Sequence, residues 1–219
     1  LPTYFENGRQ FNLSLSVYIQ VLPTLLFGKS IWVTRGVSAL ASTLAAVFTA
    51  LILKDAYKDR RWWLAPVLLA AVPAWFLHSR TAFETVLMAG LYAGFLYFYL
   101  RYRQDQPAAL FPALAFGGLA FYAYSPGQVI LPLTGLLLLI ADAPYHWRHR
   151  KTALFGLGLL ALLALPYLRF TLTREGAALA HLSQLNSYWV KPLPFAQKVW
   201  MYLTRYLQGF NPFYWFWPN

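Results

Sequence analysis

The segment Arg35-Gly-Val-Ser-Ala-Leu-Ala-Ser-Thr-Leu-Ala-Ala-Val-Phe-Thr-Ala-Leu-Ile-Leu-Lys54 sets the class of this protein, because nothing between its two terminal cations carries a charge. Coiled as an α-helix, Gly36 to Leu53 reach about 27 Å, close to the thickness of a bilayer's hydrocarbon core. Three more intervals repeat the pattern: Arg61 to His78, Glu84 to Arg101 and Lys151 to Arg169. The run from Gln106 to Ala141 is too long for one crossing, and its middle reads Tyr122-Ala-Tyr-Ser-Pro-Gly-Gln128. Pro-Gly is a turn signal, so the run divides there into two helices. The expected fold is all-α, a polytopic helical membrane protein with about six transmembrane helices plus amphipathic helices on its outer face.

Composition agrees. Of 219 residues, 59% are hydrophobic and 11% charged, where a soluble domain carries about a quarter charged residues. Lys and Arg number 18 against 7 Asp and Glu, a net charge of +11. These cations sit between apolar runs rather than clustered on a polar surface, which argues against nucleic acid and for membrane lipids as partners. The absence of cysteine excludes disulfides and thiolate metal sites. The chain opens on Leu1 without a signal-peptide pattern and closes on the aromatic run Phe213-Tyr-Trp-Phe-Trp217. The expectation is a fragment cut at both ends.

Orientation follows from the short connections. The stretches Lys54 to Arg61, Arg101 to Pro107 and Asp142 to Lys151 hold nine Lys and Arg, whereas His78-Ser-Arg80 and Ser125-Pro-Gly127 hold one. That bias puts the first set in the cytoplasm and both chain ends outside. The ends read differently from the spans. Asn12, Ser16, Gln20 and Thr24 recur every fourth residue between Asn12 and Phe27, one polar stripe on an otherwise apolar helix that suits the outer interface. The alternation Leu13-Ser-Leu-Ser-Val17 also suits a strand, but the later spacing favours helix. A second amphipathic helix is expected over Phe195 to Gln208, with Gly209 as its C-cap. The division is thus a transmembrane domain over 1–170, with an outer loop and interfacial helix at 1–32, and an extracytoplasmic segment over 171–219.

Chemistry concentrates on the outer side. No Gly-rich phosphate loop, HExxH motif or Gly-x-Ser-x-Gly elbow is present, and no cofactor is implied. The acids are too few and too scattered for a metal. Asp55, Asp59, Asp105 and Asp142 fall in cytoplasmic loops, leaving Glu6, Glu84 and Glu175 outside. Arg80 and Glu84, four apart, share a face if they lie on one helix and can pair there. Facing a cavity, such a pair could hold a phosphate and orient an acid. Thr81-Ala-Phe-Glu84 also fits a capping box, which would make Glu84 structural; capping requires no arginine, so Arg80 is the sharper candidate. Glu6 and Arg9 lie outside any expected span and read either as a solvated pair of charges or as site residues. His78 reads as interfacial packing or a site residue, and Tyr124 and Gln128 as loop polarity beside the Pro-Gly turn. The run His146-Trp-Arg-His-Arg-Lys151 is a topology signal first and a contact for anionic lipid second.

The order of these features resembles the membrane glycosyltransferases of the GT-C superfamily, among them the protein O-mannosyltransferases and the lipid A aminoarabinose transferase. The resemblance rests on Tyr4-Phe-Glu-Asn-Gly-Arg9, Val17-Tyr18, Phe27-Gly-Lys-Ser30, Arg35 and Ser38-Ala-Leu40. It continues through His78-Ser-Arg-Thr-Ala-Phe-Glu84 and Tyr202-Leu-Thr-Arg-Tyr-Leu-Gln-Gly-Phe-Asn-Pro212. It implies transfer of a sugar from a polyprenyl-phosphate donor to a lipid, glycan or protein acceptor, in a bacterial inner membrane with the site facing outward. On that resemblance Arg80, Glu84 and Glu6 are the catalytic candidates, with Arg9, Asn7, His78 and Tyr124 binding substrate. Two departures stand out. The family's Asp in the first outer loop has no counterpart in the opening residues and is expected upstream. The lysine that some members place after the Tyr-Phe-Glu triplet is Asn7 here, with Arg9 as its substitute. A transporter or flippase for a lipid-linked substrate is the rival reading, since broken, Pro-interrupted helices occur there. Against it, every charge lies at a span end or in a loop. A non-catalytic membrane scaffold is the third.

Overall fold

The computed structural model describes residues 3–7, 10–81, 83–174, 176, 182–183 and 187–211. Two short paired strands, β1 (Tyr4–Asn7) and β2 (Gln10–Leu13), precede helix α1 (Leu15–Phe27). The helix therefore starts three residues later than its polar stripe, and Asn12 belongs to a strand. Gly28 ends α1 with φ 79°, a left-handed value that glycine adopts without strain. Two residues on, the Ser30 hydroxyl accepts from Val33 N at 3.2 Å and caps α2 (Ile31–Leu51). A π-helical turn, Ile52–Ala56, prolongs α2.

Pro73 breaks what the charge count reads as one span over 61–78. Its ring pushes the preceding residue out of the helical region, and Val72 is extended at ψ 115°. The result is two short helices, α3 (Leu64–Ala71) and α4 (Pro73–Thr81). Helix α5 (Phe83–Arg103) then turns 113° from α4. A 3₁₀ turn at Pro107–Ala109 leads into α6 (Leu110–Ala123). The Pro-Gly signal acts as expected: Tyr124 is extended, and α7 (Gly127–Ala141) begins at the glycine. Then follow α8 (Ala143–Arg148), α9 (Arg150–Thr173), a 3₁₀ turn at Tyr188–Val190, and α10 (Phe195–Gln208). Gly209 caps α10 in right-handed geometry, φ −62°, so no left-handed cap is formed there.

The architecture is helical and apolar, but six helices of crossing length are not found among the described residues. Among the described residues, Ile31–Ala56 and Arg150–Thr173 are each long and apolar enough to cross a bilayer, and α4 with α5 makes a bent third candidate. Leu15–Phe27, Pro107–Ala123 and Gly127–Ala141 are shorter apolar helices. Seventeen helical residues reach only about 25 Å.

The chain forms two compact units, one of residues up to Phe5 with Asn12–Arg169, the other of Glu6–Phe11 with Phe170 onward. In the first, α5 lies between α2 and α6, and small residues allow the close approach. A Cβ on Gly90 would sit 3.0 Å from Leu44 Cβ and 3.1 Å from the Ala41 carbonyl oxygen of α2. The side chains closing this core, including Leu87, Leu91, Phe95, Tyr99, Tyr102 and Leu110, are buried. Outward the surface is apolar: Leu154, Phe155, Leu157 and Leu162 of α9 are all exposed. Such a surface suits a chain embedded in lipid. In the second unit, α10 exposes Phe195, Trp200, Tyr206 and Leu207, and Lys198 Nζ donates to the Trp189 carbonyl at 2.8 Å.

Contacts fix the two ends of the first unit. At one, Ser16 meets Glu84, Ser38 meets Ser79 and Gln128 meets Tyr4. At the other, Arg101 pairs with Asp55 at 3.7 Å and Arg103 with Asp142 at 3.0 Å. The basic connections 54–61, 101–107 and 142–151 thus gather at one end, and Glu84 lies at the opposite one.

Candidate functional site

The polar stripe of α1 turns into the protein. Ser16 is 5% exposed and its hydroxyl donates to Glu84 Oε1 at 3.1 Å, while Gln20 Nε2 donates to the Ser16 carbonyl at 3.0 Å. Leu22, Leu25 and Phe27, on the remaining surface of the helix, are exposed. This inverts the arrangement of a soluble amphipathic helix. In apolar surroundings a serine and a carboxylate are stabilised by meeting each other rather than by facing out.

Glu84 is half-buried in the first turn of α5. Beside it, the buried Ser38 of α2 donates to the Ser79 carbonyl at 2.8 Å, which pins the last turn of α4. Arg80 follows that anchor. Its guanidinium carbon lies 3.9 Å from the Phe76 ring centroid, a cation–π contact one turn back on the same helix. The expected pairing of Arg80 with Glu84 is not made, because the two residues sit on different helices across the 113° bend. Arg80 is exposed and has no ion pair with a described acid. His78 is exposed as well. The Glu6, Asn7 and Thr81 side chains, with Arg9, Ala82 and Glu175, lie outside the described residues, so the Tyr-Phe-Glu cluster and the capping box are not placed.

A second polar group forms where α6, α7 and α9 come together at this end. Gln128 Nε2 donates to the Tyr4 hydroxyl, and burial pushes the Tyr4 phenol up from its ordinary range, against the lowering effect of that bond. Tyr124, half-buried, packs against the core. Tyr122 does more. Its hydroxyl donates to the Leu163 carbonyl at 2.7 Å and accepts from Tyr167 N at 3.1 Å. It thereby inserts into the backbone ladder of α9 beside Pro166, a place where a proline helix tolerates a polar guest.

Below this group runs a cavity of about 590 Å³ between α6, α7 and α9. Its walls are almost wholly apolar, with Tyr122 and Tyr167 towards one end and Tyr99 and His146 towards the other. Glycines shape it: Gly117, Gly118, Gly135 and Gly156 all line it, and a Cβ on Gly135 would meet nothing within 4 Å. Arg80, Glu84, His78 and Tyr124 do not line this cavity. Sequence reasoning missed Ser16 as the partner of Glu84, and missed the Ser38–Ser79 bond and the insertion of Tyr122 into α9. Only the four-residue stripe on α1 carried a signal for the first. Among the described residues no three His, Asp or Glu side chains come together as metal ligands.

Comparison with known proteins fixes the family. No curated protein and no solved structure matches the chain. A family model described as dolichyl-phosphate-mannose-protein mannosyltransferase matches residues 15–170, from the first turn of α1 to the last turns of α9. The match takes in α2, α5 and the Ser16–Glu84 contact, and the chain belongs to the dolichyl-phosphate-mannose-protein mannosyltransferase family, a family of membrane glycosyltransferases.

Proposed function

We propose that this chain carries part of the site of a glycosyltransferase that moves a sugar from a polyprenyl-phosphate donor to a lipid, glycan or protein acceptor on the outer membrane face. The observation that carries the reading is the placement of Glu84 and the exposed Arg80 on adjoining helix ends, at the end of the bundle opposite the basic loops. The positive-inside rule then puts Glu84 and Arg80 outside. A lipid-linked donor needs such a boundary, with a cation for its phosphate and an apolar path for its tail. The α6–α7–α9 cavity offers apolar walls of that kind.

In the reaction the acceptor hydroxyl attacks the anomeric carbon as the bond from that carbon to the phosphate oxygen breaks. The departing polyprenyl phosphate takes the electron pair, and a carboxylate takes the hydroxyl proton. Arg80 is assigned to the phosphate, whose growing charge a guanidinium stabilises. Glu84 is assigned as the neighbouring acid, with Glu6 as a second one. Arg9, Asn7, His78 and Tyr124 are assigned to substrate contact. Replacing Arg80 with Ala should abolish sugar transfer by the full-length protein while its unfolding temperature falls by only about 1–4 °C, the cost of the exposed Phe76 contact. Full activity in that variant would refute the assignment.

A further inference from the structure

The basic end of the bundle holds a polar cluster that the reading above does not use. Tyr99 and Tyr102 of α5 are buried, Tyr102 at 0% exposure. The Tyr99 hydroxyl donates to Asp142 Oδ2 at 2.6 Å and lies 3.3 Å from His146 Nε2. The Tyr102 hydroxyl lies 3.0 Å from His146 Nδ1, and its ring stacks on the imidazole at 5.5 Å and 22°. Arg103 Nε pairs with Asp142 Oδ1 at 3.0 Å, and its guanidinium covers the Tyr145 ring at 4.5 Å. The Tyr145 hydroxyl closes the group by donating to the Tyr102 carbonyl.

These bonds run in one direction. A carboxylate paired with arginine only accepts, so Tyr99 spends its proton on Asp142 and must accept from His146. His146 therefore carries its proton on Nε2, leaving Nδ1 to accept from Tyr102. The chain Tyr102 to His146 to Tyr99 to Asp142 to Arg103 is complete only with a neutral imidazole. A second proton, on Nδ1, would face the Tyr102 oxygen, and the hydroxyl proton there would need another acceptor in a place closed to water. Burial accordingly holds the His146 imidazole below its ordinary range, despite the opposing pull of Asp142. The groups facing it are Tyr99, Tyr102 and Arg103 from α5, and Asp142 with the Leu138 carbonyl from the end of α7. From α8 and just beyond it come Tyr145 and His149, and Asp105 acts on Tyr145 from the α5–α6 connection. His149 Nε2 is buried with no hydrogen-bond partner among the described residues, and its ring lies 6.3 Å from that of Tyr102, but the Tyr102 hydroxyl is engaged with His146 instead.

The geometry points to a proton-sensitive latch: the Tyr102–His146–Tyr99–Asp142–Arg103 chain clamps α8 onto α5, and releases it when the imidazole takes up a second proton. The position gives this a consequence. Tyr99 and His146 line one end of the α6–α7–α9 cavity, and α8 is the link between α7 and α9. The latch therefore fixes the side chains that line this end of the cavity at neutral pH and loosens them on acidification of that face. This holds whatever the cavity binds.

The test uses the full chain in phosphatidylcholine nanodiscs, with spin labels on Tyr57→Cys and Trp147→Cys, both at exposed positions. This stretch has no cysteine of its own to interfere. Pulsed electron resonance should give one distance at pH 8 and a second population on acidification, with a midpoint below about 6.5. In His146→Gln, whose carboxamide donates and accepts without titrating, the distribution should be the same at every pH. Tyr102→Phe removes the hydroxyl from Nδ1 and should move the midpoint upward. An unchanged distance from pH 8 to pH 5 in the parent, or the same transition persisting in His146→Gln, overturns the latch.

Discussion

The Ser16–Glu84 bond is open to a double-mutant cycle that needs no knowledge of substrate. Ser16→Ala removes a hydroxyl that donates to a carboxylate at 3.1 Å. Hydrogen bonds to charged groups contribute about 1.5–3 kcal/mol. Glu84 is only half-buried, which argues for the lower figure, about 1.5 kcal/mol. For a chain of this size each kcal/mol moves the unfolding temperature by roughly 2–4 °C. Ser16→Ala should therefore lower it by about 3–6 °C. Glu84→Ala should lower it by at least as much, and the double variant by little more than the larger single effect. The assay is thermal unfolding in detergent, followed by tryptophan fluorescence. As a control, Ser16→Ala and Arg80→Ala should add, since Arg80 contacts Phe76 instead. A coupling between Ser16 and Glu84 within about 0.5 kcal/mol of zero would show that they do not interact. The account of α1 as a helix with its polar stripe turned inward would then fail.

Other parts of the structure make separate predictions. Gly90→Leu should destabilise the first unit by roughly 1–3 kcal/mol, because its first carbon already meets α2 backbone at 3.1 Å. Gly135→Ala, which meets nothing within 4 Å, should unfold at nearly the parental temperature. Stability should depend on pH through His146. Its folded pKa is lowered, so its contribution is complete above about pH 6.5 and is lost as pH falls through the folded value. Unfolding temperatures in a pH series should show this, and His146→Gln should flatten the slope. Single cysteines at Tyr57 and Trp147 should react with an impermeant maleimide from one side of the membrane, and one at Lys29 from the other. Labelling of all three from the same side would contradict the placement of the two ends.

Much of this arrangement could be read from the sequence. Charge-free runs located α2, α5 and α9, because a helix surrounded by lipid cannot carry ions along its length. Pro126-Gly127 divided α6 from α7, and the apolar periodicity of α10 gave Phe195–Gln208 at both ends. Pro73 was the signal that went unused. It lies within an apolar run, where hydropathy outweighs local stereochemistry on paper although the ring decides the backbone in the folded chain. The four-residue spacing of Arg80 and Glu84 promised a pair only if one helix carried both, and the α4–α5 bend separates them. Ser16 and Glu84 are 68 positions apart, and Tyr99 and Asp142 are 43. No local pattern joins such residues. Even so, Tyr99, Tyr102 and Arg103 share one helix face, and Asp142 and His146 share another at four-residue spacing. Counting the basic run only for its charge hid the second of these faces.

The central claim is sugar transfer, and it is tested most directly with the full-length protein in liposomes that carry a polyprenyl-phosphate sugar labelled in the sugar. The account predicts that label leaves the lipid and appears on an acceptor, and that Arg80→Ala prevents this. Label that stays on its lipid but crosses to the other leaflet would identify a flippase and contradict the account.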